Sequence, residues 1–395
     1  MFEKLTINEV DLLGKKVLIR VDFNVPQDKD GHITDDRRIR ETLPTINYVL
    51  SQKARVILIS HLSRPEGKVV ESMRLNPIAK RLSELLGKEV KKLDDCIGKK
   101  IELEIDKMEE GEVILLENVR FYKEETKNDQ GFAQKLAALG DIFVNEAFSA
   151  SHRAHASVAG ITNFVQKAVA GFQVEKEIEY LGKTLIRPKR PFLAILGGAK
   201  VSTKIGVIDH LLEKVDAILV GGGMAYTFLK ALGSSIGNSL FEKAELDVAK
   251  KILENSKKLS TPVYLPVDHL IVKSIDSSEY GKITEEIPDG WMGVDIGPQT
   301  IDNYIAKIHK AMTIVWNGPM GVFEVEAFSK GTYAIAQAIA NHKPATTIVG
   351  GGDSDAVIDK LGIADQFTHV STAGGACLEL LEGKELPGIV ALTNK

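Results

Sequence analysis

Cysteine is nearly missing from this chain: Cys96 and Cys377 are the two among 395 residues, and they lie far apart. Neither belongs to a CxxC or a Cys/His cluster. A structural zinc site and a disulfide framework are therefore not expected, and a reducing compartment fits. No run approaches the roughly 20 apolar residues of a membrane helix. The opening MFEKLTINEV lacks the apolar stretch of a secretory signal. The expectation is a cytoplasmic protein with no membrane partner. Net charge is also small, −4 from 50 Lys+Arg and 54 Asp+Glu. That disfavours whole-chain attraction to nucleic acid, while a local basic cleft stays open.

Familiar catalytic signatures are missing too. GGGMAY and the frame Gly350-x-Gly352-x-x-Asp355 both lack the third glycine of GxGxxG. There is no GxxxxGK[ST], no HRD or DFG pair and no HExxH. A nicotinamide dehydrogenase, the first rival for a two-domain α/β chain, is weakened by these failures. His152 and His155 have no partner cluster that suggests metal. His155 reads as a hydrogen-bond donor or as a buried structural histidine.

What is present is material for two cores. The chain is 44% hydrophobic and 26% charged, and its length suits two domains at roughly 100–200 residues each. Short β-branched runs recur at Lys16–Val21, Arg55–Ser60, Glu112–Glu117, Asp141–Asn145, Phe192–Leu196, Ala217–Val220, Val263–Pro266, Met312–Trp316 and Thr346–Val349. Helical periodicity lies between them, at Asn76–Leu86, Phe132–Leu139, Glu242–Leu253 and Gly331–Ile339. Continuous apolar runs suit strands buried on both faces, and alternation with helices suits parallel sheets. The expected fold class is α/β: two similar-sized Rossmann-like three-layer α/β/α domains with parallel sheets, joined by a hinge helix. The charged stretch at Glu175–Arg190 suggests that boundary, giving domains 1–185 and 186–385.

The halves differ in chemistry. All 12 arginines lie at or before Arg190, and 23 of the 34 glycines lie after it. Ligands of open parallel sheets bind beyond the carboxyl ends of the strands. In the first half those ends carry Asp22 and Asn24, then His61, Ser63 and Arg64, then Arg120, then Arg153, with Arg38 after the first strand. Arginines and histidines at equivalent strand ends suit a small, multiply anionic substrate. A ring of surface charges paired with Asp and Glu is the alternative.

In the second half the ends carry Gly197-Gly198, Gly221-Gly222-Gly223, Asn317-Gly318 and Gly350-Gly351-Gly352-Asp353-Ser354, with Gly374-Gly375 before the last long helix. Exposed backbone N–H groups at such turns are ready anion sites. Each pair alone is more often a tight turn; five clusters favour a ligand. Lys200 and Lys204 would share a helix face if a helix begins near Ala199. Asp353 suits a carboxylate reaching Mg²⁺ on a nucleotide phosphate.

The motifs RVDFNVP (Arg20–Pro26), RIRETLPTI (Arg38–Ile46), HLSRP (His61–Pro65), LLENVRF (Leu115–Phe121) and SHRAHAS (Ser151–Ser157) resemble those of the phosphoglycerate kinase family. So do LGGAKVSTKIGVI (Leu196–Ile208), VGGGMAYTFL (Val220–Leu229), VWNGPMGVFE (Val315–Glu324), VGGGDS (Val349–Ser354) and HVSTAGGACLELLEGKELPG (His369–Gly388). They stand in the family's order and span nearly the whole chain.

The resemblance implies 3-phosphoglycerate or 1,3-bisphosphoglycerate on Asp22, Asn24, Arg38, His61, Leu62, Ser63, Arg64, Arg120 and Arg153. It implies ADP or ATP on Lys204, Gly221, Gly222, Gly293, Asn317, Glu324, Gly351, Gly352, Asp353 and Ser354, with Mg²⁺ as cofactor on Asp353. Arg38, Lys200, Gly374 and Gly375 would act on the transferring group. A monomer is expected, with the C-terminal 386–395 returning to complete the first domain. Three positions depart from the family's usual residues: Ser63 and Ser149 where glycine is usual, and Glu146 where aspartate is usual. The alternative is a non-catalytic phosphate-ligand and nucleotide-binding protein on the same fold.

Overall fold

The apolar runs become strands in a computed structural model that describes residues 3–276 and 281–395. The chain divides into two units, Met1–Glu179 with Glu385–Lys395, and Tyr180–Lys384.

Unit 1 has six strands: β1 (Lys16–Arg20), β2 (Arg55–Ile59), β3 (Val90–Lys92), β4 (Val113–Leu115), β5 (Ile142–Asn145) and β6 (Ala168–Ala170), in the order β3-β4-β2-β1-β5-β6. Every pair is parallel. Val17, Ile19, Val56, Leu58 and Val144 enter the main core on one side of the sheet. Leu18, Ile57 and Phe143, on the alternate positions, are also buried. Both faces are covered, which is why these runs lack a polar alternation. Chain order reverses between β1 and β5, so the loops after β1, β2 and β5 meet where such sheets take ligands. Helix α1 (Arg37–Ser51) packs Ile39, Ile46 and Val49 onto this core.

The chain end is stitched into unit 1. Lys4 Nζ donates to the carbonyls of Val390 and Leu392 (both 2.8 Å) and to Asn394 Oδ1 (2.7 Å). Thr393 N–H donates to Ala168 O (2.8 Å) and Gly388 N–H to Ser151 O (2.8 Å). Burial keeps Lys4 below the usual lysine range, against Glu385. The division between units falls in a helical stretch made of α2 (Phe172–Glu177), a π-helical piece (Ile178–Lys183) and a last turn (Thr184–Ile186).

Unit 2 has β7 (Phe192–Leu196), β8 (Ala217–Val220), β9 (Val263–Tyr264), β10 (His269–Val272), β11 (Lys282–Thr284), β12 (Met292–Ile296), β13 (Thr313–Asn317), β14 (Thr346–Gly350) and β15 (His369–Ser371). Its parallel sheet runs β15-β14-β13-β7-β8-β9, and β11-β10-β12 form a separate antiparallel sheet. The large sheet is doubly wound, with its reversal of order between β7 and β13. Trp316, fully buried, sits among Ile195, Ile314 and Val349 in its core. The loops after β7 and β13 therefore face one another at the switch point.

Candidate functional site

In unit 1, Asp22 opens the loop after β1. The loop folds back because Asn24 N–H donates to Asp22 Oδ1 (3.1 Å). Asp22 Oδ2 accepts from Arg38 Nη1 (2.6 Å) and from the Ser149 hydroxyl. Burial works against the ionised form of Asp22, but Arg38, Ser149 and Arg20 oppose it, and the carboxyl lies below its ordinary value. Arg38 comes from the first turn of α1 and is half-buried.

After β2, His61 is buried, while Ser63 and Arg64 are exposed. Leu62 belongs to the core, and its carbonyl accepts from Asn118 Nδ2 (2.8 Å). Ser63 ties three loops together. Its N–H donates to Asn24 Oδ1 (2.8 Å), and its carbonyl accepts from Arg120 Nη1 (2.9 Å). It does this at φ +56°, a left-handed conformation that glycine adopts without strain. The Arg120 guanidinium is lowered to about 10, by burial first and by Arg20. Its Nε is buried without a partner. Arg153 is exposed and donates through Nε to His152 Nε2 (3.1 Å). His155 is buried 3.7 Å from Glu125 and lowered to about 4, by burial and then by neighbouring arginines.

The two other unusual residues have structural places. Ser149 grips the Asp22 carboxylate, as above. Glu146, at the end of β5, accepts from Thr45 Oγ1 of α1 (2.6 Å) and from Gln173 N–H in the first turn of α2 (3.1 and 3.2 Å to its two oxygens). Gly171 makes room for it: a Cβ there would stand 1.9 Å from Glu146 Oε2.

In unit 2 the loops after β7, β13 and β14 enclose a cavity of about 330 Å³. Lys200, Lys204, Asn317, Gly351, Gly352, Asp353, Ser354 and Gly374 line it. Helix α3 begins at Ile205, after a 3-10 turn at Val201–Thr203. The expected helix start near Ala199 is thus corrected: Gly197 and Gly198 pack against Pro319 and Gly318, and the chain stays irregular through Lys204. Lys200 is exposed and Lys204 is buried in the wall. Burial brings Lys204 down to about 8, against the pull of Cys377, Asp353 and Glu382.

Two helices start at the cavity. After α4 (Lys330–Asn341) and β14, helix α5 (Gly352–Leu361) is preceded by Gly351 at φ +102°. A Cβ on Gly351 would stand 2.9 Å from Asn317 Nδ2. Helix α6 (Gly375–Leu381) follows Gly374. Each start leaves N–H groups without helical partners, a suitable cradle for anionic oxygens. Asn317 and Ser354 brace it. Asn317 Nδ2 donates to Gly350 O (2.7 Å), and Ser354 Oγ accepts from Gly318 N–H (2.7 Å). Among the described residues lining the cavity, Asp353 is the one carboxylate, exposed in the first turn of α5. One carboxylate beside a phosphate cradle fits a Mg²⁺ that takes its other ligands from phosphate and water.

Gly221, Gly222, Gly293, Glu324 and Gly375 do not line this cavity. Gly221 and Gly222 pack on Met320 and Pro319, beside it; Gly293 backs onto the Tyr226 ring; Glu324 is exposed. Sequence reasoning named no role for Arg20 by itself. The signal was available, since an arginine ends an apolar run that must be buried on both faces.

The model of the phosphoglycerate kinase family matches residues 7–384. The phosphoglycerate kinase of Dictyoglomus turgidum is 56% identical over 393 residues, covering 99% of this chain and 98% of the relative. That of Koribacter versatilis is 54% identical over 402 residues, covering 99% and 100%. Among solved structures, phosphoglycerate kinase from Coxiella burnetii superposes with a TM-score of 0.91 at 44% identity, covering 98% of each chain. The enzyme from Pyrococcus horikoshii gives 0.84 at 34%, also covering 98% of each.

Proposed function

The chain belongs to the phosphoglycerate kinase family and is a phosphotransferase, and from that premise we propose how its own residues carry the transfer between 1,3-bisphosphoglycerate and ADP. Relatives at 54–56% identity carry the enzyme's name, so a protein that binds without turnover is the less favoured reading.

Unit 1 receives the phosphoglycerate. Arg38, Arg64, Arg120 and Arg153 supply cations, while His61, Asn24 and the Ser63 hydroxyl supply neutral groups. Asp22 fixes Arg38, and Leu62 contributes through its backbone alone. Unit 2 receives the nucleotide. Lys204 and the N–H groups of Gly351, Gly352, Asp353 and Ser354 hold phosphate. Gly221, Gly222, Gly293 and Asn317 line the base, and Glu324 takes the ribose hydroxyls. Asp353 would hold Mg²⁺, which when bound neutralises phosphate charge.

In the ATP-forming direction an oxygen of the ADP β-phosphate bonds to the phosphorus of the acyl phosphate. The bond from that phosphorus to the carboxyl oxygen breaks in line, and 3-phosphoglycerate leaves as a carboxylate. No covalent nucleophile or strong base is needed. Arg38 and Lys200 contact the moving phosphoryl group, and the Gly374 and Gly375 N–H groups share its charge. The reading requires hinge closure about 175–190 and the returning C-terminus, with water expelled before transfer. The expected state is a monomer.

The observation that carries this reading is the cradle in unit 2: two helix starts and two lysines around one cavity. The test is ATP-dependent phosphorylation of 3-phosphoglycerate, coupled to reduction of the product. Turnover that needs Mg²⁺ supports the assignment; folded protein that binds both ligands without turnover sinks it.

A further inference from the structure

Arg20 ends β1 and is fully buried. A guanidinium is retained in such a place only with partners for its charge and its N–H groups. Nε donates to Ser157 Oγ (2.9 Å), Nη1 donates to the Val21 carbonyl, and Nη2 lies 3.0 Å from His61 Nδ1. Glu125 and Asp22 balance its charge. Ser157 is fixed in turn, its hydroxyl donating to Glu125 Oε1 (2.7 Å) and its N–H to Oε2 (2.9 Å). The guanidinium is thereby held against His61.

A guanidinium has five N–H donors and no acceptor. The 3.0 Å contact is a hydrogen bond only when Nδ1 accepts. Asp22 Oδ1 stands 3.9 Å from the same nitrogen, beyond hydrogen-bond reach. A proton on Nδ1 would meet a cation and find no acceptor near enough. The single proton of a neutral imidazole therefore sits on Nε2. Nε2 has no partner among the described residues and is not closed off from solvent. We infer that Arg20 is a positioning residue for the phosphotransfer: it locks His61 as the neutral Nε2–H tautomer, so that His61 offers phosphoglycerate a donor at every physiological pH. The charged groups facing the ring are Asp22, Arg20, Arg38 of α1 and Arg120 after β4. Burial leads and the three arginines add to it, against Asp22 alone, so the ring stays uncharged. The inference rests on the assignment of His61 to the phosphoglycerate site.

The test reads the tautomer directly, by nitrogen NMR of ¹⁵N-histidine-labelled wild-type protein, with His61→Asn for assignment. Between about pH 6 and 8, His61 should show a protonated Nε2 and an unprotonated Nδ1, with unchanged shifts. A proton on Nδ1, or a ring that gains charge in that window, overturns the lock. This arm uses no substrate, so it is separate from the site assignment. Adding 3-phosphoglycerate then tests that assignment: the Nε2 resonance should move, and a silent Nε2 removes His61 from the site. In Arg20→Met the donor that bars a proton from Nδ1 is gone, so the Nδ1–H form should become populated. The KM for 3-phosphoglycerate should rise roughly tenfold to a hundredfold, with the KM for ATP unchanged. Arg20→Lys, which keeps a donor, should restore the tautomer. An Arg20→Met protein with unaltered tautomer and KM overturns the proposal. If that variant does not fold, the wild-type spectrum still decides.

Discussion

Unit 1 ends its strands in charged side chains, and unit 2 ends them in glycines. Three of the unit 1 arginines are braced: Arg38 by Asp22, Arg120 by Ser63, and Arg20 by Ser157, which Glu125 fixes in turn. In unit 2 the donors are largely backbone N–H groups at helix starts, and the side chains around them, Asn317 and Ser354, tie loops together. Side-chain sites concentrate free energy in a few replaceable groups. Backbone sites spread it over a geometry that small substitutions distort without deleting any donor. The comparison therefore predicts where loss should be sharp and where it should be graded.

The largest effect belongs to Arg38. Arg38→Ala should lower kcat by about 10²–10³, the loss of one charged transition-state contact, while nucleotide affinity stays within error. Lys204→Ala should weaken nucleotide binding first. Steady-state kinetics together with nucleotide titration separate the two, and equal losses in both parameters would erase the division of labour.

Next is Glu146. Burial raises its carboxyl from 4.5 to about 7, against hydrogen bonds from Thr45 and the backbone of α2. A folded value above the unfolded one means stability that is complete below about pH 4.5 and lost as pH rises through about 7. At about 1.4 kcal/mol per pH unit this amounts to about 3 kcal/mol. Glu146→Gln should flatten that slope. Both tryptophans, Trp291 and Trp316, lie in unit 2, so their fluorescence serves as an internal control. The pH slope should appear in urea unfolding followed by far-UV circular dichroism and be weaker in fluorescence. Identical slopes by both probes would mean that the units do not unfold separately.

A smaller effect sharpens the unit 2 side. With Lys204 at about 8 in the free protein, bound phosphate must favour its charged form. Nucleotide affinity should be constant below about pH 7.5 and fall roughly tenfold by about pH 9. Lys204→Arg, charged throughout, should remove the decline. A flat wild-type profile over that range refutes it.

How much of this was legible in the sequence depended on run length. The nine β-branched runs all became strands, because short runs dominated by apolar and β-branched residues suit the interior of a parallel sheet. Strands β3, β6, β11 and β15 span three residues each and were not read, β12 is interrupted by Gly293 and Asp295, and the run Leu270–Val272 of β10 was missed. The strand-end rule located Asp22, His61, Arg120, Lys204 and Asp353, since topology alone decides which end of a parallel sheet is open. It did not separate ligand groups from braces. Asn317, Ser354 and Leu62 are held by contacts distant in sequence, and no local spacing encodes those. The helix expected near Ala199 failed for a similar reason: Gly197 must fit against the Pro319 carbonyl, and that tertiary packing overrides helical propensity through Lys204.

Ser63 gives the smallest effect and isolates backbone from side chain within unit 1. Its φ of +56° is unfavourable for a residue with a Cβ, by roughly 1 kcal/mol relative to glycine. The two hydrogen bonds it makes in tying the loops, from its N–H to Asn24 and to its carbonyl from Arg120, are both backbone bonds that glycine would keep. Ser63→Gly should therefore leave the loops in place. Relief of strain in the folded state works against the greater freedom glycine gives the unfolded chain, so the net gain should be no more than about 1 kcal/mol. Denaturant midpoints by circular dichroism measure it. If Ser63→Gly instead loses stability, the hydroxyl is holding the loops that the backbone was assigned to hold, and unit 1 depends on side chains even where its loops are joined.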